Sequence, residues 1–131
     1  MVDPENEVYT RVASVLKKKF HGIRVASDST YATEAFPFCE VIMIDNRPAA
    51  RRSTNDSDPY SLCTFRVSVY SNKTTGRKSE AKAIASTVAD WMSDHNFRRV
   101  SYGTAPNIDE SIYRHVSLYE VVTDGTHFYR R

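Results

Sequence analysis

The chain is poor in the residues that most often reveal a function: 131 residues contain four glycines, two cysteines, one tryptophan and no real excess of either charge. Gly22, Gly76, Gly103 and Gly125 are isolated. Neither a GxGxxG dinucleotide fingerprint nor a GxxxxGK[ST] phosphate loop can therefore be written, and the GxSxG turn that presents a serine nucleophile is missing as well. His21, His95, His115 and His127 are scattered, with no HxxxH or CxxC spacing to set two metal ligands on one face. Asp109 and Glu110 are neighbours on a turn, where two carboxylates seldom converge as an acid–base pair. The longest apolar run, Val41 to Ile44, is far short of the ~20 residues a membrane helix requires. The N-terminus is acidic and helical in pattern, unlike a secretory leader. Cys39 and Cys63 are thus expected as buried, reduced thiols; a disulfide between neighbouring strands would need an oxidising compartment. Eighteen Lys and Arg against sixteen Asp and Glu leave a net charge of +2, where a dedicated nucleic-acid binder usually shows a basic excess. The expectation is a protein without catalytic residues, metal or cofactor.

What is present is an ordinary globular composition, 40% hydrophobic and 11% aromatic, in a length that suits one domain spanning residues 1–131. Asp3-Pro4, followed by Glu5 and Glu7, opens a helix over about 4–20, with Val8, Val12, Val15 and Leu16 at helical spacing and Lys17 to Lys19 at its end. A second helix over about 78–95 carries Ala81, Ile84, Ala85, Val88, Trp91, Met92 and His95 on one stripe. Strands are expected at 23–26, 38–45, 60–71, 97–104 and 112–123, with 127–131 a short tail that extends the last. The order α-β-β-β-α-β-β predicts an α+β fold: an antiparallel sheet of about five strands with two helices on one face. Residues 46–58 contain no large apolar side chain and are expected as a long mobile loop bearing Arg47, Arg51 and Arg52.

Strand 60–71 alternates Cys63, Phe65, Val67 and Val69 against Leu62, Thr64, Arg66, Ser68 and Tyr70. Two helices cover one face of such a sheet. The other face is left with Leu62 and Tyr70 beside Arg66, and the last long strand is apolar or aromatic on both faces, Ile112, Val116, Leu118 and Val122 against Tyr113, Tyr119 and Val121, with Tyr113 and Tyr119 as candidate contacts. Tyr and Arg among moderate apolar area is the composition of an interface, and an exposed patch of that kind points to assembly. Glu40 and Glu120 are candidates for cross-strand pairing with Arg66 or Arg114. Arg130 and Arg131, beside Tyr129, add a basic tail. Basic residues near aromatics leave open a small nucleic-acid-binding protein, although the arginine loop lacks aromatics and carries Asp56 and Asp58.

The stretch Val69-Tyr70-Ser71-Asn72-Lys73-Thr74-Thr75-Gly76-Arg77-Lys78-Ser79-Glu80-Ala81, the helix running on through Trp91-Met92, then Phe97-Arg98-Arg99, Pro106-Asn107, Ile112-Tyr113-Arg114 and the ending Phe128-Tyr129-Arg130-Arg131 resemble the tail terminator (tail completion) proteins of long-tailed bacteriophages. The likeness is most specific over 65–131; the N-terminal half matches in pattern only. It implies a small α+β structural protein of the virion, without enzymatic activity or cofactor. Such proteins form a ring, commonly six-fold, on the head-proximal end of the tail tube. The implied partners are further copies of the chain, the tail-tube protein and the head–tail connector protein. DNA passes through the channel without specific binding, no membrane is involved, and assembly takes place in the host cytoplasm. A head-completion or connector adaptor, also small and ring-forming, is the alternative in the same setting. The loop 46–58 and the tail are expected to dock the tube and connector, the second sheet face and the strand edges to make ring contacts.

Overall fold

A computed structural model describes residues 3–27, 36–49, 60–106 and 111–129. The first helix, α1, spans Glu5–Lys19. The Asp3 carboxylate accepts the Glu5 N–H at 3.2 Å, one of the donors that a helix start leaves unpaired. Acids in the first turn and lysines in the last lie with the helix dipole. The chain leaves the helix at an extended Phe20, and Gly22, at φ +77°, serves the turn that follows. The second helix, α2, spans Arg77–Asp94 and begins after Gly76, held at φ +80°, where a side chain would be strained. Ser71 Oγ donates to Glu80 Oε1 at 2.7 Å and Lys73 Nζ lies 3.2 Å from Glu80 Oε2, which fixes the turn into α2.

Six strands form one sheet: β1 (Arg24–Ala26), β2 (Phe38–Pro48), β3 (Ser61–Ser71), β4 (Arg98–Ala105), β5 (Tyr113–Thr123) and β6 (Phe128–Tyr129). The spatial order is β1-β2-β3-β5-β4, with β6 paired to the end of β5. The mixed α+β class and the order of elements are those expected. The sheet is antiparallel except for β1 on β2, a parallel pair that strand alternation gave no means of foreseeing. The larger departure is at the end of β2. Asn46, Arg47 and Pro48, expected in a loop, continue the strand opposite Cys63, Leu62 and Ser61. The Pro48 ring removes one N–H, which is tolerated in a strand at a sheet edge.

Both helices pack on one face. Val8, Val12 and Leu16 of α1 and Ala81, Ile84, Ala85, Val88, Trp91 and Met92 of α2 meet Cys39, Val41, Cys63, Phe65, Val67, Val69, Phe97 and Val121 in a single core. A buried Leu, Val or Phe in such a core contributes about 1.5–3 kcal/mol. Phe97 meets Phe65 edge-on and Phe128 at a tilt, with ring centroids 5.8 and 5.3 Å apart. Asn96, at φ +68°, ends the turn after α2 and donates its Nδ2 to the Phe128 carbonyl at 3.0 Å. Both cysteines are buried free thiols, as expected. Cys39 lies opposite Val69 and Cys63 opposite Asn46, at different heights of the sheet, so the register keeps them from bridging. Burial pushes each thiol up to about 12, which leaves it protonated and inert.

Candidate assembly surfaces

Under α2 the inward row of β5 differs from that of β3. His115, Ser117 and Tyr119 stand on the helix-covered face, opposite Val69, Val67 and Phe65. Tyr119 is 1% exposed and belongs to the core, so it is not the contact residue it was expected to be. The physical reason is the register: pairing Phe65 with Tyr119 turns the odd-numbered residues of β5 inward, and Val116, Leu118 and Val122 outward. Tyr113 follows the same parity. It is half-buried on the helix side, with its hydroxyl against Thr104 Oγ1. His115 is fully buried, and neither ring nitrogen has a hydrogen-bond partner among the described residues. Tyr102 meets its ring edge-on at 4.3 Å. Burial lowers the His115 pKa, and the positive charge of Lys82 on α2 lowers it further. Burial likewise raises the Tyr119 hydroxyl, against the opposing effect of the Ser117 hydroxyl.

The outer face is mixed in polarity, as the alternation of β3 implied, but less open. Phe38, Glu40, Ser68, Leu62 and Val122 are all buried. Leu62 packs with Ala49, Val122, Tyr60 and Tyr129 in a small second cluster, which removes it as a contact for a partner. Tyr70 is half-buried, with Phe38 on one side at 5.8 Å and the Arg114 guanidinium over its ring at 5.7 Å. Arg66 is half-buried opposite Ile42 and Leu118. Tyr129 stands edge-on to Tyr60 at 6.1 Å and donates to Asp124 Oδ2 at 3.1 Å. That carboxylate also accepts the Thr126 and His127 N–H groups through Oδ1, at 2.9 and 2.8 Å. These bonds hold the Asp124 pKa down at about 2. Glu120 meets Arg98 of β4 at 3.9 Å, a third arginine beside the two anticipated for it.

The two edges of the sheet are its most accessible parts. β4 is the last strand on one side, and most of its residues are exposed. On the other side β1 covers only Phe38 to Glu40 of β2 and leaves Val41 to Pro48 without a neighbouring strand among the described residues. Each edge contains a β-bulge, between Met43 and Asp45 on β2 and between Arg99 and Ser101 on β4. The bulged residues, Ile44 and Val100, are each 46% exposed and, with Tyr102, are the exposed large hydrophobic side chains among the described residues. Ile44 and Val100 did not stand out in the sequence, because a bulge breaks the alternation by which inward and outward residues are told apart. Arg47 lies on the β2 edge with its Nε 3.6 Å from Asp45 Oδ2. Two side chains of α1 reach this side of the sheet: Tyr9 donates to the Val25 carbonyl of β1 at 3.0 Å, and Glu5 Oε2 accepts the Met43 N–H of β2 at 2.8 Å.

The structure therefore brings Arg66 and Tyr70 together on the outer face, separates Tyr113 and Tyr119 from them, and places Arg47 on an edge. Arg51, Arg52, Arg130 and Arg131, and residues 50–58 of the expected loop, lie outside the described residues. Among the described residues no group of three or more His, Cys, Asp or Glu is placed to hold a metal ion, and no helix is long and apolar enough to cross a membrane. No protein-family model matches the chain, and no curated protein is significantly similar to it.

Proposed function

We propose that the protein is a structural subunit of a bacteriophage tail, a terminator that assembles as a ring on the head-proximal end of the tail tube, stops its growth and offers a surface to the head connector. The observation that carries this reading is a single sheet that ends in two dissimilar edges on opposite sides, β4 and the far half of β2, neither covered by another strand among the described residues. Two different complementary surfaces on one subunit give head-to-tail contacts, and such contacts close into rings when the rotation allows. The resemblance of residues 65–131 to tail terminators supports the setting. The near-neutral charge of +2 suits a wall that DNA passes rather than one that captures it. The test adds the purified protein to its polymerising tail-tube protein and scores tube length by electron microscopy. Short tubes capped at one end are expected. Tubes of unchanged length would sink the terminator reading, and binding to the connector with no effect on tubes would favour the head-side adaptor.

A further inference from the structure

His115 lies beneath two covers of unequal strength. From α2 the charged group that acts on it is Lys82, whose side chain is exposed. From β4 the Tyr102 ring meets it edge-on at 4.3 Å, and Thr104 is its partner across the ladder. Val69 of β3, its partner across the other ladder, is apolar. Along its own strand Tyr113 and Ser117, the neighbours in the same row, offer hydroxyls. No carboxylate pairs with the ring among the described residues, and the Tyr102 ring already carries the Arg99 guanidinium at 5.3 Å. The two covers differ in how they are held. α2 buries seven of its residues, whereas no residue of β4 is buried. β4 pairs with β5 and is interrupted by the bulge between Arg99 and Ser101. Before the bulge it is anchored, with Phe97 in the core and Arg98 beside Glu120. After it, Ser101 to Ala105 are held by the ladder to β5, the Tyr102–His115 contact and the Thr104–Tyr113 hydroxyl pair.

We infer that His115 is a proton-operated latch on β4: when its ring takes up a proton, Ser101 to Ala105 swing away from β5 about the bulge at Val100, and the ring reaches water. The inference stands apart from the tail reading. A buried imidazolium without an acceptor is costly, and Lys82 adds a like charge from α2. The aromatic ring that could offset that cost is shared with Arg99. One cover has to give way, and burial decides which. Moving α2 would expose apolar core, whereas β4 gives up residues that already meet water. The bulge supplies the hinge, because the ladder is already broken there. β4 and β5 are successive strands, so the freed segment lengthens the connection between them and leaves the rest of the sheet in place. The sign follows from where the proton binds. The released ring has the ordinary value of 6.5, and the covered ring lies lower because burial, and then Lys82, disfavour its charged form. Release is therefore favoured progressively as the pH falls from 6.5 to the lowered value, and no further below it.

Residue-resolved hydrogen exchange, corrected for the intrinsic rate at each pH, reads the latch. In the wild type the protection of the Ser101–Ala105 amides bonded to β5 is expected to fall with pH below 6.5, approaching about tenfold per pH unit for one proton. It is expected to stay lower than the protection of β3 throughout. Protection that does not change with pH overturns the latch. Equal protection in the two strands at every pH overturns it too, since the sheet would then open as a whole. His115→Leu is expected to abolish the fall at Ser101–Ala105, and a fall that persists in that variant removes His115 as its cause. Lys82→Glu tests the same point without touching the buried row. It changes an exposed side chain and gives the protonated ring an acidic neighbour. The covered ring then titrates closer to 6.5, so the total loss of protection is expected to shrink or reverse. A loss as large as that of the wild type overturns the latch.

Discussion

The same helix covers two strands that are built on different principles. Beneath α2, β3 presents Cys63, Phe65, Val67 and Val69, an apolar row without a polar side chain, while adjacent β5 presents His115, Ser117 and Tyr119 before returning to Val121. Both rows are buried. The β3 row draws its stability from packing and is indifferent to pH. The β5 row carries polar groups whose desolvation opposes folding unless each finds a partner. The difference shows that burial alone does not define a core: one row anchors the sheet, and the other makes it sensitive to protons.

The largest expected effect comes from attacking the apolar row. Phe65→Ala removes a fully buried ring in contact with Phe97 and should cost about 3–5 kcal/mol, read by urea denaturation. Substitution in the polar row should run the other way. His115→Leu replaces an imidazole lacking hydrogen-bond partners with an apolar group of similar size, and a gain of about 1–2 kcal/mol at neutral pH is expected. A loss there would mean that the imidazole is held by more than packing. The pH dependence sharpens the contrast. Below about 6.5, the ordinary value, an unfolded chain takes up a proton that buried His115 resists. Stability therefore falls as the pH drops from that value to the lowered pKa of the folded state, and levels off below it. His115→Leu should remove that part of the slope, and Phe65→Ala should leave it in place. The smallest effect is expected where β5 gives way to the tail. Asp124, low at about 2, holds the turn through its carboxylate. Its contribution is full above the ordinary value of 3.8 and is lost as the pH falls through about 2. Asp124→Ala should raise amide exchange at Thr126 and His127 without moving the global melt appreciably, and Asp124→Asn, which keeps an acceptor, should do less.

The two rows were unequally legible in the sequence. Strict alternation in β3 assigns Cys63, Phe65, Val67 and Val69 to the core, as observed. β5 is apolar at Val116, Leu118 and Val122 and again at Tyr119 and Val121, so its pattern fits either face; only pairing with β3 decides, and it buries His115 while turning Leu118 outward. The helices were readable to within a residue or two, α1 because its end charges and a 3.6-residue period agree and α2 from its period alone. The end of β2 was not, since Asn46-Arg47-Pro48 has turn chemistry and is held as strand by its partner. The candidate contacts were the least legible. Edges are a property of strand order, which single-strand patterns do not encode. Ile44 and Val100 are exposed because of bulges that exist only once the strands pair.

Strand order also bears on how the chain comes off the ribosome. β5 is the last long strand to be synthesised, yet it is the one flanked by long strands on both sides, β3 and β4. Until it emerges, among the described residues β3 has only β2 to pair with and β4 has no strand, because the strand that pairs with it there is β5. A nascent chain stalled before Tyr113 can form the β2–β3 hairpin with the helices packed over it, but not the sheet. The basic edge strand is then a free segment, and the slot beside β3 is open to any strand nearby. Completion is an insertion rather than an addition: the β2 edge exists once the β2–β3 hairpin has formed, and the β4 edge joins the sheet when β5 closes the gap.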